Sequence, residues 1–181
     1  MPYEPPPDLA SLSLDEIARL ATDRKLPPVA EWHPEREADS RMRIAADGRW
    51  YHDGGEITRP AMVRAFASLL WRDAQGQHWL VTPQQRQWVE VEDAALIAID
   101  VKQEGGALAF RLNTDELVIA GPDHPLLARG DPDTPSLYLA VRHGVEARLN
   151  RSTYAQVAEI ALESGDLSLT SQGARFSLVP A

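Results

Sequence analysis

The sequence predicts an α+β protein of two similar halves, each built of antiparallel β-hairpins packed with one helix, plus an N-terminal helix. Three observations lead there. Asp47-Gly48 and His143-Gly144 each sit between two β-capable runs, and a tight turn with glycine closes a hairpin because it needs positive φ. Apolar residues recur at helical spacing behind Ser13, behind Thr58 and behind Asn150, three residues suited to capping a helix start. The order strand, glycine turn, strand, helix, strand, turn, strand occurs over residues 42–91 and again over 137–179, so the chain reads as an internal repeat. Three parts follow: an arm, helix and linker over 1–40, a β-β-α-β-β domain over 41–94, and a C-terminal domain over 95–181.

The first twelve residues, with Pro2, Pro5, Pro6 and Pro7, read as an extended arm, since proline fixes φ and lacks a donor. Ser13 then starts a helix. Its spacing to Glu16 makes a capping box, and Leu14, Ile17, Ala18 and Leu20 form the stripe that must dock. Pro27 and Pro28 end that element, and residues 31–40 read as a polar linker anchored by Trp32. Residues 42–46 and 49–53 form the first hairpin, and Asp53-Gly54-Gly55 breaks its second strand. Thr58 is the expected N-cap of the next helix, Pro60 sits near its first position, and Met62, Val63, Phe66, Leu69 and Leu70 carry it through Trp71.

HWLVT and RQWVEV, joined around Pro83-Gln84-Gln85, make the second hairpin. ALIAIDV, ALAFRL and ELVIA are three more strands, and residues 120–136, rich in proline and aspartate, read as a long loop. LYLAVR and VEARLN flank His143-Gly144, Asn150 caps a helix over Ser152 to Glu163, and DLSLT with ARFSLV close the last hairpin. LVTPQQRQW at 80–88 aligns with SLTSQGARF at 168–176, through Thr82 with Thr170, Gln84 with Gln172 and Trp88 with Phe176.

Composition bounds the function. A net charge of −9 with no basic block opposes attraction to a phosphate backbone, so nucleic acid is not the expected partner. No apolar run reaches ~18 residues, so no membrane span is expected. The opening MPYEPPPDLA lacks the basic and apolar regions of a secretory leader. Zero cysteines remove disulfides, thiolate metal sites and cysteine nucleophiles and suit a reducing compartment, which makes cytoplasm the expected location. With two lysines among 18 cations, the rest are arginine, suited to bidentate recognition of phosphate or carboxylate or to plain solvated surface.

Catalytic patterns are scarce. His33, His52, His78, His124 and His143 show no metal-ligand spacing. His52-Asp53 are neighbours on a strand, and their side chains meet only if the strand is already turning. Gly54-Gly55 fits neither phosphate-loop signature; the helix start with Arg59 beside it can attract an anion, but such starts are more often simply capped. Ser68, Ser136 and Ser152 lack a nucleophile elbow. Trp50, Trp79 and Trp88 on predicted strands are either stacking faces or core.

Asp47, Gly48, Trp50, His52, Gly54, Ile57 and Arg59, then Leu80-Val81-Thr82-Pro83 and Val91-Glu92-Asp93-Ala94, with GPDHPL at 121–126 further on, carry a resemblance to a bacterial domain-of-unknown-function family, number twelve-eighty-five. The resemblance covers most of the chain from Pro27. It implies a duplicated core, a C-terminal half similar to pleckstrin-homology folds, and a cleft between halves that holds a nucleotide-like ligand in signal transduction. The chain departs from the family at Gln85-Arg86, in place of Glu-Lys, and at Ala95, in place of proline.

These readings converge on a binding or signalling module rather than an enzyme, whose expected site is the cleft between the two halves, taking a small anionic, nucleotide-like molecule. The candidate ligand-binding residues are Trp50, His52, Arg59, Thr82, Arg86, Trp88 and Asp93, with Arg59 and Arg86 supplying charge and Trp50 or Trp88 a stacking face. No catalytic residue, metal or other cofactor is assigned. Two alternatives stay open: a small hydrolase or transferase using His52, Asp93 or His124 as acid or base, and an adaptor that exposes its tryptophans to a protein partner.

Overall fold

The structure is a computed structural model and describes residues 3–181, so Pro2 of the predicted arm lies outside it. The helices are α1 (Leu14–Asp23), α2 (Pro60–Ala67) and α3 (Arg151–Ser164). Strands β1 (Glu37–Ile44), β2 (Trp50–His52), β3 (Gly55–Glu56), β4 (Leu70–Arg72), β5 (His78–Val81) and β6 (Arg86–Val91) form one sheet. A second contains β7 (Leu96–Glu104), β8 (Ala107–Leu112), β9 (Leu117–Ile119), β10 (Leu126–Asp131), β11 (Thr134–Arg142) and β12 (Val145–Leu149). A two-stranded sheet, β13 (Ser168–Ser171) with β14 (Ala174–Ser177), completes the α+β architecture.

The two large sheets share one topology. The first runs β3-β2-β1-β6-β5-β4, with β1 and β6 parallel at its centre. The second, read as β9-β8-β7-β12-β11-β10, repeats that order, with β7 and β12 parallel. Each is therefore two three-stranded meanders joined through their first and last strands. The halves are similar, but the repeat lies over residues 37–91 and 96–149 rather than 42–91 and 137–179. β13 and β14, aligned by sequence with β5 and β6, belong to neither large sheet. The mistake has a physical cause: glycine-turned hairpins look alike locally, whereas the parallel pairing that defines the repeat joins strands far apart in sequence. α2 lies between the third and fourth strands of its half, while α3 follows the sixth strand of the other. Strands closed by a C-terminal helix are compatible with a pleckstrin-homology-like half.

Several local expectations change. The expected polar linker becomes strand from Glu37 onward, because pairing with β6 (Glu37 opposite Arg86, Asp39 opposite Trp88) supplies bonds that composition does not announce. Asp53 and Gly54, at φ of 49° and 83°, turn the chain tightly into β3 instead of ending the sheet. α2 starts at Pro60 with Arg59 rather than Thr58 as N-cap, and it stops at Ala67. Leu70 and Trp71 belong to β4, since LLW fits either period over so short a run. The proline-rich loop contains β10, which pairs with β11 around Asp131–Thr134.

The chain divides into two compact units: residues 25–95 with 142–145, and residues 96–141 and 146–181 with the N-terminal segment up to Arg24. In the second unit the predicted arm is docked. Leu9, Leu12 and Ile17 are buried against Ala109 and Leu117, with Ile119 alongside. Arg111 donates to the carbonyls of Pro6 (3.2 Å) and Pro7 (3.1 Å), Lys102 donates to those of Ala10 and Leu12, and the Leu14 N–H donates to Glu104 (2.7 Å). Ser13 caps α1 as expected, accepting from the Glu16 N–H at 3.2 Å. Among the described residues no helix is long and apolar enough to cross a membrane.

Candidate functional site

The site grows from a period-two pattern on three neighbouring strands. In β4, β5 and β6 the core-facing positions include Leu70, Leu80 and Val89, at 0%, 3% and 1% exposure. The alternate positions therefore face the other way. Those are Trp71, Trp79 and Trp88, and the register sets Trp71 opposite Trp79 and Trp79 opposite Trp88. The result is a tryptophan row across three strands, each neighbour directly opposite the next.

Residues 29–34 pack over one end of that row. Val29, Trp32, His33, Trp71, Trp79, Val81 and Arg86 line a cavity of about 310 Å³. Val29, Trp79 and Val81 are buried in one cluster, with the half-buried Trp32 and Trp71 packed against it. The Arg86 guanidinium lies 4.1 Å from the Trp79 ring centre, a cation–π contact worth roughly 0.5–2 kcal/mol according to exposure. Glu37 accepts from Arg86 Nε at 3.2 Å and from Nη2, which leaves the Nη1 donors of Arg86 for other acceptors.

Two indoles of the cavity, Trp79 and Trp71, are held from outside it. Trp79 Nε1 donates to Asp73 Oδ2 at 3.0 Å, and Asp73 Oδ1 accepts from the Gln75 and Gln77 N–H groups. The Trp79 hydrogen bond is the main reason the Asp73 carboxyl sits below its ordinary value, outweighing desolvation, with the backbone bonds and Arg86 adding to it. Trp71 stacks on His143, with centroids 4.9 Å apart and planes at 14°. The His143 carbonyl accepts from the Arg72 N–H at 2.9 Å. Burial, and then the charge of Arg142, pull the His143 pKa below 6.5, so its ring against Trp71 is neutral at pH ~7. Arg142, lowered to about 10 by burial, stays charged and donates to the Ala67 carbonyl at 3.2 Å.

A second recess, also about 310 Å³, opens at the other end of the row. Trp88 forms one wall and is 42% exposed. Asp39, Arg41, Arg43, Tyr51 and Glu90 surround it.

The predicted ligand residues are dispersed. Arg86 lines the tryptophan cavity and Trp88 the second recess. Trp50 offers no free face, because it is 1% exposed and stacked on Phe66 in the core. His52 lies exposed beside Asp53, with Nε2 to Oδ2 at 3.6 Å, since the chain is already turning there. Arg59 caps α2 on the surface. The Thr82 hydroxyl is committed to its turn, donating to the Gln85 carbonyl at 3.0 Å and accepting from the Gln85 N–H at 3.2 Å. Asp93 follows β6 and lines neither cavity. His124 Nδ1 lies 3.1 Å from the Ala140 carbonyl, so the acid–base candidates His52 and His124 are engaged with other partners. Among the described residues no three His, Asp or Glu side chains cluster as metal ligands.

Trp32, Trp71 and His143 were not among the candidates. Alternation in HWLV and RQWVEV carries a signal for Trp79 beside Trp88, but nothing local places Trp32 or His143 against Trp71.

Comparison with known proteins bears on most of the chain. Residues 27–94 match the family model described as domain of unknown function (DUF1285), N-terminal domain, and residues 95–178 match the DUF1285 C-terminal domain. A crystal structure of a DUF1285 family protein from Silicibacter pomeroyi DSS-3 is similar at 33% identity and TM-score 0.75, covering 93% of this chain and 97% of that one. A DUF1285 family protein from Shewanella baltica OS155 shares the fold at 24% identity and TM-score 0.54, covering 65% of this chain and 90% of that one. No curated protein matches.

Proposed function

We propose, for a chain that belongs to the DUF1285 family, a small-molecule binding module in which the tryptophan cavity of the N-terminal sheet takes an anionic, nucleotide-like ligand. The observation that carries this reading is the cavity of about 310 Å³ lined by Trp32, Trp71 and Trp79, with the Arg86 guanidinium at its edge. That volume is at the lower end of small-molecule sites, which are mostly apolar with a few placed polar groups. The indoles supply faces for a planar ring. Arg86, whose Nη1 donors are not taken by Glu37, supplies a charge-assisted partner for a phosphate or carboxylate. Signalling fits a module that binds through a preformed pocket.

The test is a thermal-shift and calorimetry screen of nucleoside mono- and diphosphates and of planar aromatic carboxylates against the full chain. A ligand is expected to raise the melting temperature with concentration. Arg86→Gln should then weaken it by about 10- to 100-fold, the loss of one hydrogen bond to a charged group at ~1.5–3 kcal/mol. The reading fails if no compound of either class shifts the transition, or if Arg86→Gln and Trp71→Ala bind as the parent does.

A further inference from the structure

We propose that the recess beside Trp88 is a second binding site, for an organic cation of the guanidinium class. The proposal stands on different residues from the tryptophan cavity and calls for the opposite charge.

Charge accounting inside the recess points to it. Arg43 is committed to Glu92 at 2.6 Å and lies 4.3 Å over the Tyr51 ring. Arg41 faces Asp53 at 3.6 Å. Both cations thus have anions of their own. Asp39 and Glu90 are left over: among the described residues neither forms an ion pair, and the one hydrogen bond of the Asp39 carboxylate is accepted from the Arg41 N–H, at 2.7 Å. These two carboxylates share the recess with the exposed indole face of Trp88. A planar ring flanked by uncompensated carboxylates suits a flat cation that stacks and donates in its own plane, which describes guanidinium better than ammonium.

The recess is also built rather than incidental. Between Asp39 and Arg43 the β1–β6 register slips, four residues on β1 spanning two on β6. Arg41 there adopts φ 57°, a left-handed conformation costly for a long side chain. Ser40, 6% exposed, locks the irregularity by donating to the Trp88 carbonyl at 2.7 Å and accepting from the Met42 N–H at 3.0 Å. Such bulges re-aim side chains and concentrate beside binding sites. This one sets Asp39 directly opposite Trp88.

The experiment follows the Trp88 indole resonance of the full chain by NMR, assigned from its absence in Trp88→Leu. The titrants are methylguanidinium, the peptide Ac-Ala-Arg-Ala-amide and the control Ac-Ala-Glu-Ala-amide. Both cations should move the resonance with Kd near ~1 mM or below. Equal affinities place recognition in a free guanidinium, and tighter peptide binding places it in an arginine presented by a protein. Asp39→Asn with Glu90→Gln keeps the acceptor for the Arg41 N–H and should weaken both cations by about tenfold or more, roughly 1.4 kcal/mol. The proposal is overturned if neither cation moves the resonance up to ~10 mM, ten times that Kd. It is equally overturned if the glutamate peptide acts alike, or if the double variant retains full affinity.

Discussion

Gly144→Ala probes the support of the tryptophan cavity most directly. A Cβ at Gly144 would lie 2.6 Å from the Arg72 carbonyl oxygen and 3.3 Å from the Arg72 Cβ, and Gly144 has φ +77°. Two penalties therefore add. The left-handed backbone costs a non-glycine residue about 1–2 kcal/mol. The near contact is with backbone, which cannot swing aside, so the turn must lift from β4. That stretches the bond from the Arg72 N–H to the His143 carbonyl, worth about 0.5–1.5 kcal/mol. The expected loss is about 2–3 kcal/mol, or roughly 4–12 °C in melting temperature at 2–4 °C per kcal/mol for a chain of this size. Gly54→Ala is the matched control, since Gly54 has φ +83° with nothing within 4 Å of its added Cβ. It should show the backbone penalty alone, about 1–2 kcal/mol. Chemical denaturation monitored by tryptophan fluorescence measures both variants. Displacing the turn should also release Trp71 from His143 and weaken any ligand of the cavity. Equal losses in the two variants would refute the argument, because the close approach to Arg72 would then carry no energy.

Further outcomes follow from single side chains. Ser171 is fully buried, donates to the Ala120 carbonyl at 2.7 Å and accepts from the Leu108 N–H at 2.8 Å; Ser171→Ala should destabilise the chain by about 2–4 kcal/mol through unmet backbone groups, read as a lower urea midpoint. His143 has its folded pKa depressed, so its contribution to stability is complete above 6.5 and is lost as pH falls through the folded value. His143→Asn removes the titration while tolerating the left-handed backbone. Between pH ~8 and ~5 the parent should therefore lose melting temperature faster than the variant, and parallel profiles would contradict the assignment.

The sequence by itself determined the α+β class, the positions of most hairpins and the caps at Ser13 and Asn150. Each depends on contacts only a few residues apart: a glycine admitting positive φ, a hydroxyl or amide reaching an N–H three residues on, an alternation of apolar side chains. Alternation along RQWVEV likewise sends Arg86 and Trp88 to one face of their strand. Only the tertiary structure decided which meanders correspond, because that rests on the parallel pairing of β1 with β6 and of β7 with β12, strands separated by tens of residues. The same pairing turned the polar stretch before Ser40 into strand, and burial behind Phe66 withdrew Trp50 from any ligand. The cavity itself required Trp32 from a connecting segment and Trp71 from a strand read as helix to meet at one sheet face, and its support required His143 from a distant turn to stack on Trp71. Side chains brought together by closing long loops leave no periodic trace along the chain, so this convergence becomes visible only once the backbone is folded.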